Sequence, residues 1–392
     1  MITAQLVPIF LVILVDLLAV SVMLPLLPFY AESFGASPSM VGLLLSVFAV
    51  CQLLAGPPLG QWSDRIGRKP VLLVSQIGTL VGFIMLGLAN TLWVVFAARI
   101  LDGLTAGNMT VAQACISDVT PPHERTQAFG IVGIAYGLGF LLGPALSGYL
   151  VRFGPSYPIA AAAGLSAVSI LATWRLLPSV APADTADRSI AWSWRAYTRP
   201  LGERQAGPHF WQFFAYQLAI SAFFSGFALF AERRLTLRDI PFGAREVGYT
   251  FAYLGLVGIV FQGALGPMVK RVSESTIVRL GFALTGLSFV LLLFASRMPS
   301  VLLVMTVFAV GTAVLRPSLT SLITQRTPRT QQGMVLGLMQ SLQSVAQIIA
   351  PLAAGVLIER QLLSAWAWVG AAVGAAGLAL SAGLGRSQAP TS

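Results

Sequence analysis

Charged side chains are what this sequence lacks most. Asp, Glu, Lys and Arg supply 10% of its 392 residues, against about 25% in soluble globular domains, so water cannot be the main solvent of the folded surface. Cysteine is nearly absent: Cys51 and Cys115 are the two, both inside apolar runs, which excludes a disulfide framework or a thiolate metal cluster. Histidine is equally scarce, and His123 and His209 lie in or beside polar connections where they are expected to be solvated. His-Glu-x-x-His, Gly-x-Ser-x-Gly and phosphate-loop patterns are missing too, and with them the catalytic machinery they carry. The expectation is a protein that is not an enzyme and uses no cofactor and no metal.

What the chain has instead is apolar residues, 56% of the total with a mean hydropathy of +0.80. Runs of about twenty such residues, enough to cross a hydrocarbon core, recur near 6–30, 39–61, 70–89, 92–117, 126–150, 156–178, 209–231, 247–269, 276–296, 299–323, 333–358 and 362–384. Only helices satisfy their own backbone in lipid. The fold class expected is therefore an all-α polytopic membrane protein with twelve transmembrane helices. The first run is too long for a signal peptide, has no basic leader and carries Asp16, so it is read as a span.

The net charge of +10 does not point to nucleic acid, because the basic residues are scattered through short connections. With both termini cytoplasmic, the inner connections hold most of them, as the positive-inside rule requires. Arg233, Arg234, Arg238 and Arg245 on the outer side are an exception, partly offset by Glu232, Asp239 and Glu246.

The long polar interruption at 179–208 splits the spans six and six. The domains expected are an N-terminal six-helix bundle (1–178), a cytoplasmic linker (179–208) and a C-terminal six-helix bundle (209–392). A shift of about 207 residues lays Thr120-Pro121 on Thr327-Pro328, Gly130 on Gly337, Pro144 on Pro351 and Gly148 on Gly355, which marks the halves as related copies. Duplicated bundles meeting around a midplane site are a transporter design.

Three motifs carry chemistry. The first is Gly60-Gln-Trp-Ser-Asp64-Arg65-Ile-Gly67-Arg68-Lys69, a short charged turn between spans two and three. Its glycines would let helices approach, and its arginines would find acidic partners such as Asp118. The second is Gly139-Phe-Leu-Leu-Gly143-Pro144-Ala-Leu-Ser147-Gly148 in span five, where small residues let backbones touch and the proline bends the helix. A dinucleotide loop is a poor reading of it, because no strand precedes it. The third is Arg99-Ile-Leu-Asp102-Gly103 in span four.

Asp16, Arg99, Asp102 and Arg316 all lie inside spans, where an ionisable group must be paired or face a cavity. Desolvation favours a neutral carboxyl and a nearby arginine a charged one, so Asp16 and Asp102, with Arg99, could take up and release a proton. A static pair that fixes helix packing is the alternative. For a substrate cavity the polar candidates are Gln52, Asn108, Gln113, Gln217, Arg316 and the stripe Gln340, Gln343 and Gln347, with Gln262 a further polar residue; interhelical hydrogen bonding would explain the same residues. Span seven adds a run of aromatics from Phe210 to Phe227 that would suit an amphipathic aromatic solute.

The first motif resembles the signature of the major facilitator superfamily at every fixed position. The span-five motif resembles that of its drug/proton antiporters, with Ser147 in place of a glycine. Asp16 followed by Met23-Leu-Pro-Leu-Leu-Pro28, Arg99 to Asn108, and Ile116-Ser-Asp-Val-Thr-Pro-Pro-His-Glu-Arg125 resemble the tetracycline/proton antiporter branch, more closely in the first half of the chain than in the second. That resemblance implies export of a tetracycline-like or multidrug solute in exchange for protons, through a monomer in the bacterial inner membrane. It also implies a latch in which Gly60, Asp64, Arg65, Gly67, Arg68 and Asp118 hold one transport state, with Asp64 near Gln331 to Gly333. A proton-coupled uptake carrier for a sugar, organic acid or lipid-like solute uses the same fold. A non-transporting receptor would leave the buried charges unexplained.

Overall fold

The computed structural model describes residues 6–120, 125–177, 198–203, 206–237, 240–269, 271–327 and 332–386. Most of the expected linker, His123 and Gln331 lie outside these residues. Helices α1 (Leu6–Ser33), α2 (Pro38–Ile66), α3 (Arg68–Gly87), α4 (Leu92–Thr105), α5 (Asn108–Val119), α6 (Arg125–Leu150) and α7 (Ser156–Leu176) come first. They are followed by α8 (Gly207–Arg234), α9 (Ala244–Val269), α10 (Glu274–Leu292), α11 (Met298–Gln325), α12 (Gln332–Glu359) and α13 (Leu363–Arg386). Eleven of these are long and apolar enough to cross a membrane. A two-stranded hairpin, β1 (Thr236–Leu237) with β2 (Ile240–Pro241), connects α8 to α9.

Helix ends follow local chemistry. Ser37 accepts from the Met40 N–H ahead of Pro38 at the start of α2, and Ser273 does the same for Thr276 at α10, each satisfying an orphan donor. Between α2 and α3 the chain reverses at Gly67 with φ 100° and ψ 157°, a backbone state open in practice only to glycine.

Span four departs from the continuous helix expected over 92–117. It breaks at Ala106, whose φ of −73° and ψ of 59° make an inverse γ-turn, closed by the Gly107 N–H on the Thr105 carbonyl at 2.7 Å. Ser75 of α3 sits across the break. Its Oγ accepts from the Gly107 N–H at 2.8 Å, and its hydroxyl donates to the Thr105 carbonyl. Unwound backbone in an apolar span survives only with such partners. Neither α4 nor α5 is long enough to cross alone, and together they make the twelfth crossing.

The chain divides into two compact units, Met1–Ser189 with Gly243–Gly255 and Ile190–Phe242 with Leu256–Ser392. In the first, α1 packs on α6 and α7, and α3 on α7 and α4. In the second, α8 packs on α12 and α13, and α10 on α13 and α11. The same pairings in the same order are the structural counterpart of the sequence repeat. Apolar side chains fill each interior, Ile9, Ile13, Leu72, Val111 and Ile116 in the first and Phe210, Phe213, Phe282, Leu315 and Leu338 in the second.

Candidate functional site

The span-four break places polar groups around Asp16. Its half-buried carboxylate, on α1, accepts from Nε2 of Gln76 of α3 at 3.3 and 3.5 Å. Gln76 is wholly buried and also donates to Ser169 Oγ of α7 at 2.8 Å. Asn108, the first residue of α5, is brought by the break within hydrogen-bonding reach of the same carboxyl. Oε1 of Gln76 and Oδ1 of Asn108 are both buried without a partner.

Arg99 and Asp102 form a second polar centre in α4. Both are buried, at 8% and 5% exposure, and Arg99 Nη1 donates to Asp102 Oδ2 at 2.7 Å across one turn. Thr79 of α3 reaches the Asp102 carboxyl. The guanidinium lies 4.0 Å from the ring centroid of Phe48, a favourable cation–π position. Glycines make this depth of burial possible: a Cβ on Gly103 would fall 2.7 Å from the Phe48 carbonyl, and one on Gly78 would overlap Thr105. A small cavity of about 40 Å³, bounded by Val20, Met23, Leu24, Leu27, Leu45 and Phe83, opens on Arg99. Arg99 thus pairs with Asp102, and Asp16 with Gln76.

In the charged turn Arg68 is the hub. Its Nη1 meets Asp64 Oδ1 at 2.5 Å and Ser63 Oγ at 2.7 Å, while Nε donates to Asp118 Oδ2 at 2.8 Å. Lys69 Nζ donates to the Leu177 carbonyl at 2.7 Å, and Arg65 is exposed. Gly60 does not serve close helix approach, as the sequence reading had it. A Cβ there meets open space, and its carbonyl accepts from Ser63 Oγ at 2.7 Å.

The span-five motif is an interhelical seam. A Cβ on Gly139 would fall 3.0 Å from Leu17 Cβ and one on Gly143 would overlap Ser21 Oγ, both on α1. Ser21 Oγ donates to the Gly139 carbonyl at 2.8 Å. On another face Gly148 meets the Arg245 carbonyl, and Pro144 and Phe140 meet Gly248 and Gly255 of the first half of α9. Gly248 and Gly255 were not singled out from sequence, although their spacing along span eight is a helical one. Ser147 is wholly buried.

The remaining cavity candidates differ in burial. Gln52, Asn108, Gln113, Arg316, Gln343 and Gln347 are half-buried, Gln340 and Gln262 exposed, and Gln217 buried. The aromatic reading of span seven is narrowed. Phe223 and Phe227 are fully buried in a cluster with Phe289, Phe308 and Trp366, with Phe223 and Phe308 stacked at 3.8 Å; they are packing. His209 is buried rather than solvated, because its ring nitrogens meet Gln212 Oε1, at 2.9 Å, and Arg326.

With this geometry in place, comparison with known proteins is informative. A class D tetracycline resistance protein of Salmonella ordonez is 31% identical over 348 residues, covering 86% of each chain. A class B tetracycline resistance protein of Escherichia coli is 30% identical over 365 residues, covering 91% of this chain and 89% of the relative. Among solved structures, the human organic anion transporter MFSD10 (TETRAN) superposes with a TM-score of 0.74 at 24% identity over 96% of this chain and 99% of that one. The family model of the Major Facilitator Superfamily matches residues 9–273 and 236–390, and the chain belongs to that superfamily, as an integral membrane transporter of small molecules.

Proposed function

We propose that this transporter is a proton-coupled efflux antiporter for a small amphipathic, drug-like solute, tetracycline-like or multidrug. The observation that carries the reading is the Asp16 carboxyl, half-buried inside the N-terminal unit and held by the Ser169 hydroxyl and two neutral amides rather than by a cation. Such a carboxyl can lose its charge without stranding an opposite one. Asp102 and Arg99 are the second proton-coupling element in this reading. The turn built on Arg68 with Asp64, Asp118, Arg65, Gly60 and Gly67 is the conformational latch. Gly139, Gly143, Pro144 and Gly148 set the antiport seam. Gln52, Asn108, Gln113, Gln217, Arg316, Gln340, Gln343 and Gln347 supply polar contacts to solute. The names of the relatives, tetracycline resistance proteins, support a drug-like solute.

The division at 179–208, the monomeric state and the placement in a bacterial inner membrane with cytoplasmic termini belong to the same proposal. The test is drug susceptibility and accumulation in a pump-deficient bacterial host expressing the chain, paired with flux into vesicles under an imposed pH gradient. Lowered accumulation that collapses with the gradient is the expected result. Raised or unchanged accumulation across several drug classes would favour an uptake carrier.

A further inference from the structure

Two carbonyl oxygens in the N-terminal unit are buried with nothing to accept, Oε1 of Gln76 and Oδ1 of Asn108, and both belong to amides that reach Asp16. Buried polar groups are normally paired. Both amides present a donor to the carboxylate and so leave the acceptor end idle. The amide's two ends are nearly isosteric, and the torsion that exchanges them is broad and close to two-fold. An ionised carboxylate can only accept, whereas a protonated carboxyl also donates. The arrangement therefore satisfies the ionised form of Asp16 and holds in reserve the acceptor that the protonated form needs.

We propose that Gln76 is a positioning residue that reads the protonation state of Asp16 by turning its side-chain amide over. With Asp16 ionised, Nε2 donates to the carboxylate and to Ser169. When hydronium delivers a proton to a carboxylate oxygen, the new O–H donates to Oε1 of the reversed amide. Ser169, whose hydroxyl reaches the Asp16 carboxylate while that group is ionised and lies 3.5 Å from the Val12 carbonyl, then turns to donate to the same oxygen. Release returns the proton to water and the amide to its first orientation, and no other covalent bond changes. Since α3 also carries Ser75 one residue earlier, clamped on the span-four break, the turnover occurs beside the hinge that places Asn108.

Few other charges bear on the step. Asp102 of α4 acts on Asp16 electrostatically and is itself paired with Arg99. Around Asp16, α5 offers Asn108 and Cys115, α6 offers Tyr136, and α7 presents Ser166 and Ser169, with Tyr157 and Arg175 at its ends. On α3, Arg68 and Lys69 lie at the first turn.

The inference rests on Asp16 being the proton carrier, and infrared difference spectroscopy of the lipid-reconstituted protein between acid and alkaline pH separates the two claims. The expected spectrum has a carboxylic-acid C=O band that is lost in Asp16→Asn. It is accompanied by a side-chain amide C=O band that is lost in both Asp16→Asn and Gln76→Leu. Gln76→Glu, closer in shape, must also lose the amide band and serves if the leucine variant does not fold. An acid band that depends on Asp16 without an amide band that depends on Gln76 makes Gln76 a static support, overturning the inference and leaving the proton-carrier reading intact. No acid band dependent on Asp16 overturns both.

Discussion

Breaking the Arg99–Asp102 pair from one side should cost far more than deleting it from both. The two side chains are 8% and 5% exposed, are joined at 2.7 Å, and Arg99 Nε already has no partner. Asp102→Asn leaves the guanidinium buried with its acidic partner gone, and uncompensated buried charges of this kind cost about 3–5 kcal/mol. The Phe48 ring at 4.0 Å retains part of the cation's stabilisation, about 0.5–2 kcal/mol, so a net loss of about 1–4.5 kcal/mol is expected. The double variant Arg99→Met with Asp102→Leu replaces the pair by apolar groups and should return to within about 1 kcal/mol of the parent. Denaturant unfolding in lipid–detergent micelles measures both. Asp102→Asn costing less than about 1 kcal/mol would mean that Arg99 is solvated or paired elsewhere, and the burial argument would fall. The same double variant separates structure from function: folded but unable to couple flux to a pH gradient if the pair moves protons, folded and fully coupled if it only packs.

Four further outcomes follow from the geometry. Gly143→Ala places a Cβ against Ser21 and should destabilise by about 1–3 kcal/mol; adding Ser21→Gly should recover at least half, as thermal inactivation in detergent will show. Ser75→Ala removes two hydrogen bonds from the span-four break at about 0.5–1.5 kcal/mol each, and hydrogen exchange should accelerate selectively around 104–109. Gly67→Ala forces a Cβ onto φ 100° at about 1–3 kcal/mol, visible as reduced expression of folded protein and rescued by no other side chain. Arg68→Ala should lower stability by no more than about 1 kcal/mol, since Asp64 and Asp118 are substantially exposed. Its flux in vesicles should nevertheless fall at least tenfold, and unimpaired flux would reduce the charged turn to a topology signal.

Hydropathy read the helices well because the bilayer imposes one rule on every backbone group. Only span four escaped it. Ala106 and Gly107 are unremarkable in an apolar run, and the break is decided by Ser75, some thirty residues away, which no local periodicity connects to it. Charged residues were legible for the opposite reason: Asp16, Arg99 and Asp102 cost so much in lipid that each had to mean something. Their pairing was not legible, since Arg99 had two carboxyls within sequence reach and only packing assigns it to Asp102.

Neutral polar residues are where the sequence reading was weakest, and the structure shows why that matters. Gln76 and Ser75 lie side by side in span three, yet a glutamine in lipid carries a small penalty and many harmless explanations, so nothing raised it above Gln52 or Gln113. Burial changes its standing. A wholly buried amide with one end on a carboxylate and the other end idle is incomplete in one protonation state and completed in the other. Position alone cannot reveal that. The signal available beforehand was the clustering of Ser75, Gln76 and Thr79 within a little over one helical turn, opposite a span that itself carries Asp102. Facing polar residues on consecutive spans, rather than polar residues counted one span at a time, are what a sequence reading should weigh when it looks for a proton path.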